Sequence, residues 1–286
     1  MPLVSVLTTS YNHGRWLPDT LRSVDVQTYP RVEHIVVDDG STDDSIAVLS
    51  SWPGSRLLWD SSPPTSQAAN VNAAYRLSKG DIIGWLSSDD VYYDSQAVAS
   101  AVRAFQAHPE VALVYGHAVL IGADGLQLQT EWVPPALLAR WTPAMRIVQP
   151  AVFLRRTVLG SRLVDESFDI AIDTELWLRL KSAHRFLRLG RVLAAERHHA
   201  SRRSYAMTDV TRQEGERLDE MYGSGKGASA RRRNAVRGII YRWLGASLVP
   251  RISHTPDAFA GHLDSRRNLL KRQLLVRRSR MQKEEV

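Results

Sequence analysis

The sequence predicts an α/β protein built on a mostly parallel, doubly wound sheet. Three observations carry that expectation. Short apolar runs alternate with segments of helical periodicity, the pattern of strand, crossover helix and strand. Two of these runs, at 33–37 and 82–86, stop abruptly in adjacent carboxylates, Asp38-Asp39 and Asp89-Asp90. The carboxyl ends of strands in open α/β sheets face the ligand crevice, so both pairs belong on one rim.

Taken in order, Val4 to Thr8 reads as the first strand and the segment from Trp16 to Gln27 as a helix with Pro18 in its first turn. Glu33 to Val37 is a second strand, Thr42 to Ser51 a helix, and Arg56 to Trp59 a short third strand. Ala68 to Leu77 forms a helix that Lys79-Gly80 closes, and Ile82 to Leu86 is a run apolar enough to be buried on both faces. Ser95 to His108 carries Val98, Val102 and Phe105 on one helical face. Val111 to Ile121, the turn Ala123-Asp124-Gly125 and Leu126 to Val133 predict a hairpin, hence an antiparallel extension of the sheet. A helix begins near Asp173, a strand covers Arg185 to Leu193, and Thr208 to Tyr222 is a charged helix. Gly223-Ser224-Gly225 marks a break, dividing a domain of residues 1–222 from a basic helical region of residues 223–286.

Adjacent carboxylates repel unless a cation joins them, and a hard divalent metal carrying a phosphate-bearing substrate satisfies that need. Ser and Asp also cap helices, but two such pairs at two strand ends exceed what capping requires. The first strand-to-helix turn has no G-x-G-x-x-G and nothing resembles a P-loop, so phosphate is expected to be handled through metal.

The absence of cysteine excludes structural disulfides, Cys-ligated zinc and thiol nucleophiles. No signal segment or membrane-spanning run is evident, so a cytoplasmic protein is expected. The formal charge of +7 is uneven: residues 226–286 hold a net +11, leaving −4 for the rest. Leu269, Leu270, Leu274 and Leu275 lie among arginines, a pattern suited to the inner face of an anionic membrane, to another subunit, or to the protein's own surface. Nucleic acid is disfavoured, because aromatic residues are not interleaved with these charges.

Four segments, V-S-V-L-T-T-S-Y-N at 4–12, I-V-V-D-D-G-S-T-D-D at 35–44, G-D-I-I-G-W-L-S-S-D-D at 80–90 and D-T-E-L-W-L-R-L at 173–180, resemble in order and spacing the inverting family 2 glycosyltransferases of the GT-A fold. The resemblance implies transfer of a sugar from a nucleotide-diphospho-sugar, UDP- or dTDP-linked, to a hydroxyl of a glycan, a lipid-linked molecule or a small molecule, in polysaccharide or related synthesis. It assigns Thr9 and Tyr11 to the nucleotide base, Asp39 to the base N–H, Asn72 to the donor-binding helix and Asp89 to the ribose or a metal-bound water. Asp90 and His199 would ligate Mn²⁺ or Mg²⁺, and Arg197 would pair with phosphate. Gln149 and Trp177 fall on the acceptor side. Asp173 matches the catalytic base, with Glu175 as the other carboxylate of that turn. Two other readings fit parts of the pattern: a sugar-phosphate nucleotidyltransferase, which lacks here its Gly-rich basic loop, and a non-catalytic nucleotide-sugar or nucleic-acid binding protein.

Overall fold

The computed structural model describes residues 1–61, 63, 65–131, 133, 147–203 and 207–222. The basic C-terminal region foreseen for residues 223–286 lies outside the described residues. Among those described, one sheet of nine strands dominates. β1 (Val4–Ser10), β2 (Val32–Asp38), β3 (Leu57–Ser61) and β4 (Ile82–Trp85) pair in parallel, separated in sequence by α1 (Leu17–Asp25), α2 (Ser45–Ser51) and α3 (Gln67–Leu77). β5 (Val91–Tyr92), α4 (Ala97–Ala107), β6 (Val111–Gly122) and β7 (Gln127–Glu131) follow, then β8 (Val152–Arg155), α5 (Ile172–Lys181), β9 (Arg185–His198) and α6 (Thr208–Tyr222). The strand order is β3-β2-β1-β4-β8-β6-β9-β5, with β7 paired to β6.

The predicted α/β class holds, and so does the antiparallel extension, which is larger than one hairpin. β8 runs antiparallel to both β4 and β6 and joins the parallel half to the rest. β6 and β7 form the expected hairpin, while β6 and β9 pair in parallel along most of their length.

Alternation along β1 explains the two layers that cover the sheet. Leu7 packs into the core against α3 and α5, with Val71, Tyr75, Leu176 and Trp177; Val4 and Val6 point the other way, against Val98 and Val102 of α4. Ser66 starts α3 by accepting the Ala69 N–H at 3.1 Å. Glycine at 84 has a packing reason: a Cβ there would lie 2.5 Å from the Tyr92 hydroxyl, whose ring stacks on Phe153 at 5.5 Å. That stack holds β5, and with it the turn carrying Asp89 and Asp90, against the sheet.

Register then fixes the rim. Ser10 is opposite Asp38 and Leu7 opposite Trp85, so the segments leaving β1, β2 and β4 emerge together. β9 brings its end to the same place, since Ala195 pairs with Val91, the residue after Asp90.

Candidate active site

A cleft of about 590 Å³ opens on this rim and is lined by Thr9, Tyr11, Asp39, Asp89, Asp90 and Asp173, among others. The carboxylates that the sequence placed on separate segments therefore face one space.

On one side, Asp39 follows β2. Its N–H donates to the Ser10 carbonyl at 2.8 Å, and its Oδ1 accepts the Thr65 N–H at 2.7 Å. Thr65 in turn donates its hydroxyl to Asn70 Oδ1 at 3.3 Å, tying the strand end to α3. Tyr11 is 51% exposed, leaving its ring open to a planar partner. Asp38 points inward. It is buried and accepts the Ser41 N–H at 2.8 Å and the Ser41 hydroxyl at 2.6 Å, closing the turn that Gly40 makes at φ 72°.

The second acidic pair is held in a tight turn in which the Asp90 N–H donates to the Ser87 carbonyl at 3.0 Å. Both carboxylates are nearly buried. Asp90 Oδ1 accepts the Arg197 N–H at 2.8 Å, yet burial, with Asp89 and Glu196 close by, pushes its carboxyl well above the usual range. Burial also opposes the charge of Asp89, but there the hydrogen bond from His199 and the fields of His13 and Arg202 win and hold it low. Asp89 Oδ2 lies 2.9 Å from His199 Nε2, and its Oδ1 lies 4.0 Å from His13 Nδ1. Burial, with His199 beside it, lowers the affinity of His13 for a proton against the opposing fields of Asp89 and Asp43.

One nitrogen from each of His13 and His199 and one oxygen from Asp89 lie within 4.8 Å of one another, a donor set that fits a divalent metal. The geometry puts Asp89 beside His199, whereas the sequence pointed to Asp90 as the carboxylate sharing an ion with it. Asp90 keeps one oxygen on the backbone of β9 instead. His13 carried no assignment in the sequence reading. Its place depends on the loop after β1 meeting the end of β9, which no local pattern reports.

Asp173 sits in the first turn of α5, half-buried. Burial raises its carboxyl to about 6, against the Thr174 N–H and hydroxyl that favour the ionised form, with Glu196 adding to the rise. The loop before it is anchored from α6: Glu214 accepts the N–H groups of Asp169, Ile170 and Ala171 at 2.5, 3.0 and 2.7 Å. Glu175, the other carboxylate of that turn, is 2% exposed, paired with Arg179 at 3.0 Å and bonded by the Tyr222 hydroxyl at 2.7 Å. It is occupied in the core and does not line the cleft.

Four sequence-derived assignments meet a different environment. Asn72 is buried and off the cleft; its amide donates to the Val164 carbonyl and Glu166, and its Oδ1 accepts the N–H groups of Leu163 and Val164. All its hydrogen-bonding capacity ties α3 to the chain before α5. Trp177 packs in the core beside Leu176 and is likewise off the cleft. Gln149 does reach the cleft, but its amide is committed to the Trp85 carbonyl at 2.5 Å and to the Ser87 hydroxyl at 3.1 Å. Arg197 is 1% exposed, with its guanidinium on Asp19 at 3.0 Å and the Asp89 carbonyl at 2.8 Å, so it supports the acidic turn from beneath. The cations that line the cleft include Arg202, 2.6 Å from Glu196, and Arg203, bonded to Asp169. Neither arginine carried a signal in sequence beyond its charge.

The parallel half-sheet, its antiparallel extension and an acidic cleft at the strand ends together define a GT-A type glycosyltransferase domain. The chain belongs to glycosyl transferase family 2, whose model matches residues 5–151. It is 32% identical over 187 residues to an uncharacterized glycosyltransferase of Mycobacterium tuberculosis, covering 62% of this chain and 68% of that one. Among solved structures, it is similar to Staphylococcus aureus TarS 1-349 in complex with UDP-GlcNAc, with TM-score 0.56 and 17% identity over 70% of this chain and 60% of that chain. It is similar also to a mannosyltransferase of Pyrobaculum calidifontis in complex with GDP-Man and Mn²⁺, with TM-score 0.54 and 17% identity over 90% and 67% of the two chains. Among the described residues no helix is long and apolar enough to cross a membrane.

Proposed function

We propose that the chain is a metal-dependent, inverting glycosyltransferase that moves a sugar from a nucleoside-diphosphate donor to a hydroxyl in glycan synthesis. The observation that carries this reading is the shared cleft of Asp39, the Asp89-Asp90 turn and Asp173. In it, Tyr11 stacks on the base and Thr9 hydrogen-bonds it, while Asp39 accepts the base N–H, which favours UDP or dTDP; GDP also offers such an N–H. The mannosyltransferase neighbour is in complex with GDP-Man, which supports GDP as the alternative. Asp89 and His199 hold Mn²⁺ or Mg²⁺, which when bound neutralises charge on the departing diphosphate. Asp90 keeps the turn in shape through β9. Asp173 takes the proton of the acceptor hydroxyl as that oxygen attacks the anomeric carbon from the face opposite the diphosphate. A base with its carboxyl near 6 is ionised at neutral pH and still basic enough to accept a proton in the transition state.

The test is Asp173→Asn. Binding of UDP in the presence of Mn²⁺, read by calorimetry, is expected to stay within about threefold of wild type, while transfer falls by roughly 10³ or more, within or beyond the range general-base removal produces. In the wild type, kcat/KM should fall tenfold per pH unit below about 6, because protonating Asp173 removes the base. Unchanged transfer in the Asn variant would remove Asp173 from the chemistry.

A further inference from the structure

We infer that His13 is a third protein ligand of the metal centre, and that the resulting set of two imidazoles and one carboxylate selects Mn²⁺ or a later transition ion over Mg²⁺. The inference rests on the metal-dependent reading above and deepens it.

The distances are those of a shared ion. Bonds of roughly 2.1 Å at a right angle separate two ligand atoms by about 3.0 Å, and bonds on opposite sides by about 4.2 Å. His199 Nε2 and Asp89 Oδ2 are 2.9 Å apart, and the widest separation in the three-residue cluster is no more than 4.8 Å. Closing the cluster on an ion therefore takes a contraction of roughly half an ångström, within the reach of side-chain adjustment.

Both rings are fixed by neighbours, and His199 is held from behind, with Nε2 on Asp89 and Nδ1 on Ser201, as metal-binding imidazoles are; on His13 the same Nδ1 faces both Ser88 and Asp89. Trp16 stacks on His199 with centroids 4.0 Å apart and planes 30° apart, and Ser201 Oγ lies 2.8 Å from His199 Nδ1. His13 stands edge-on to that ring at 5.6 Å, with Ser88 Oγ 2.8 Å from its Nδ1. Its backbone is pinned because the Trp16 and Leu17 N–H groups donate to its carbonyl at 2.8 and 2.9 Å. Three residues from separate segments meet here, with both imidazoles oriented by neighbours and the Asp89 carboxylate held by His199.

Ligand type then decides which ion. Mg²⁺ prefers an all-oxygen octahedron, keeps its waters and gains little from imidazole, whereas nitrogen donors raise affinity along the first transition row. A site offering one carboxylate to two imidazoles is poor for Mg²⁺. Waters or diphosphate oxygens would complete the coordination.

The experiment titrates the full chain with Mn²⁺ alone, reading free ion by its paramagnetic resonance signal, with and without Mg²⁺ as competitor. Nitrogen couplings on the bound ion are counted by pulsed resonance. Wild type should show two imidazole couplings and hold Mn²⁺ against a large excess of Mg²⁺. His13→Gln should lose one coupling and roughly tenfold to hundredfold in Mn²⁺ affinity, with Mg²⁺ affinity much less changed. A second variant, His13→Cys, loaded with Co²⁺, should gain a thiolate-to-metal charge-transfer band that only a directly bound sulfur produces. The inference is overturned if His13→Gln keeps both couplings and the wild-type preference, or if His13→Cys with Co²⁺ lacks the band. Failure of wild type to bind Mn²⁺ either alone or with UDP would instead sink the metal-dependent reading from which it starts.

Discussion

The two acidic strand ends begin from the same pattern, an apolar strand followed by Asp-Asp, and finish with opposite chemistry. After β2 the pleat continues through the pair, so Asp38 turns inward to close its own turn while Asp39 alone faces the cleft. After β4 the chain keeps to β1 through Leu86 and then turns over residues 87–90, so Asp89 and Asp90 both line the cleft, nearly buried and close together. The first pair is satisfied by N–H and hydroxyl donors. The second is strained electrostatically, with one carboxyl held low by imidazoles and the other driven up by burial and by its neighbour. Whether two adjacent carboxylates call for a cation is thus decided by the backbone that follows the strand.

The largest effect that sharpens this contrast belongs to Asp89→Ala. It removes the one oxygen donor of the His13–Asp89–His199 cluster. Transfer should drop by roughly 10³ or more, with Mn²⁺ binding lost by resonance titration, since charge neutralisation of a leaving diphosphate is worth several kcal/mol. Next comes Asp39→Ala, which should leave Mn²⁺ binding intact and weaken UDP binding by about tenfold to hundredfold, the cost of one charge-assisted hydrogen bond of roughly 1.5–3 kcal/mol. If Asp39→Ala lost metal and Asp89→Ala did not, the contrast would be reversed.

Much of this site was legible because its parts sit where strands end. Asp39, the Asp89-Asp90 turn and Asp173 follow apolar runs or open a periodic helix, and those are local signals. What could not be read was set by distant contacts. Asn72 has the look of a ligand-binding residue on a helix, yet its partners are residues 163–166, across the core. Arg197 and His199 lie two residues apart and the resemblance sends both to the donor diphosphate and its metal; the antiparallel pairing of β9 with β5 puts Arg197 under the turn and His199 beside Asp89. β5 itself is two residues long, too short for any periodicity, and β8 gained its place between β4 and β6 from pairings far along the chain.

Asp38→Ala tests the satisfied member of the first pair. Its loss removes the charged acceptor of the Ser41 N–H and hydroxyl in a half-buried turn, so the chain should be destabilised by about 1–3 kcal/mol in urea unfolding. Metal binding, and transfer measured well below the midpoint, should stay near wild type.

The smallest effect, and the one most specific to the second pair, is expected of Asp90→Asn in the metal-free protein. An Asn at this position retains the oxygen that accepts the Arg197 N–H, so the turn keeps its hydrogen bond. What changes is the charge. A carboxyl whose folded pKa lies above its unfolded value weakens the fold as pH rises from the unfolded pKa toward the folded one, because the unfolded chain releases its proton first. Asp90→Asn removes that term, so with EDTA present the variant should match wild type at pH 4 and be equally or more stable at pH 7. Adding Mn²⁺ with UDP should close or reverse the gap, since a nearby cation favours the ionised Asp90 that only wild type possesses. A variant less stable than wild type at pH 7 in EDTA would mean that the second pair is satisfied without a cation, and the two strand ends would be alike after all.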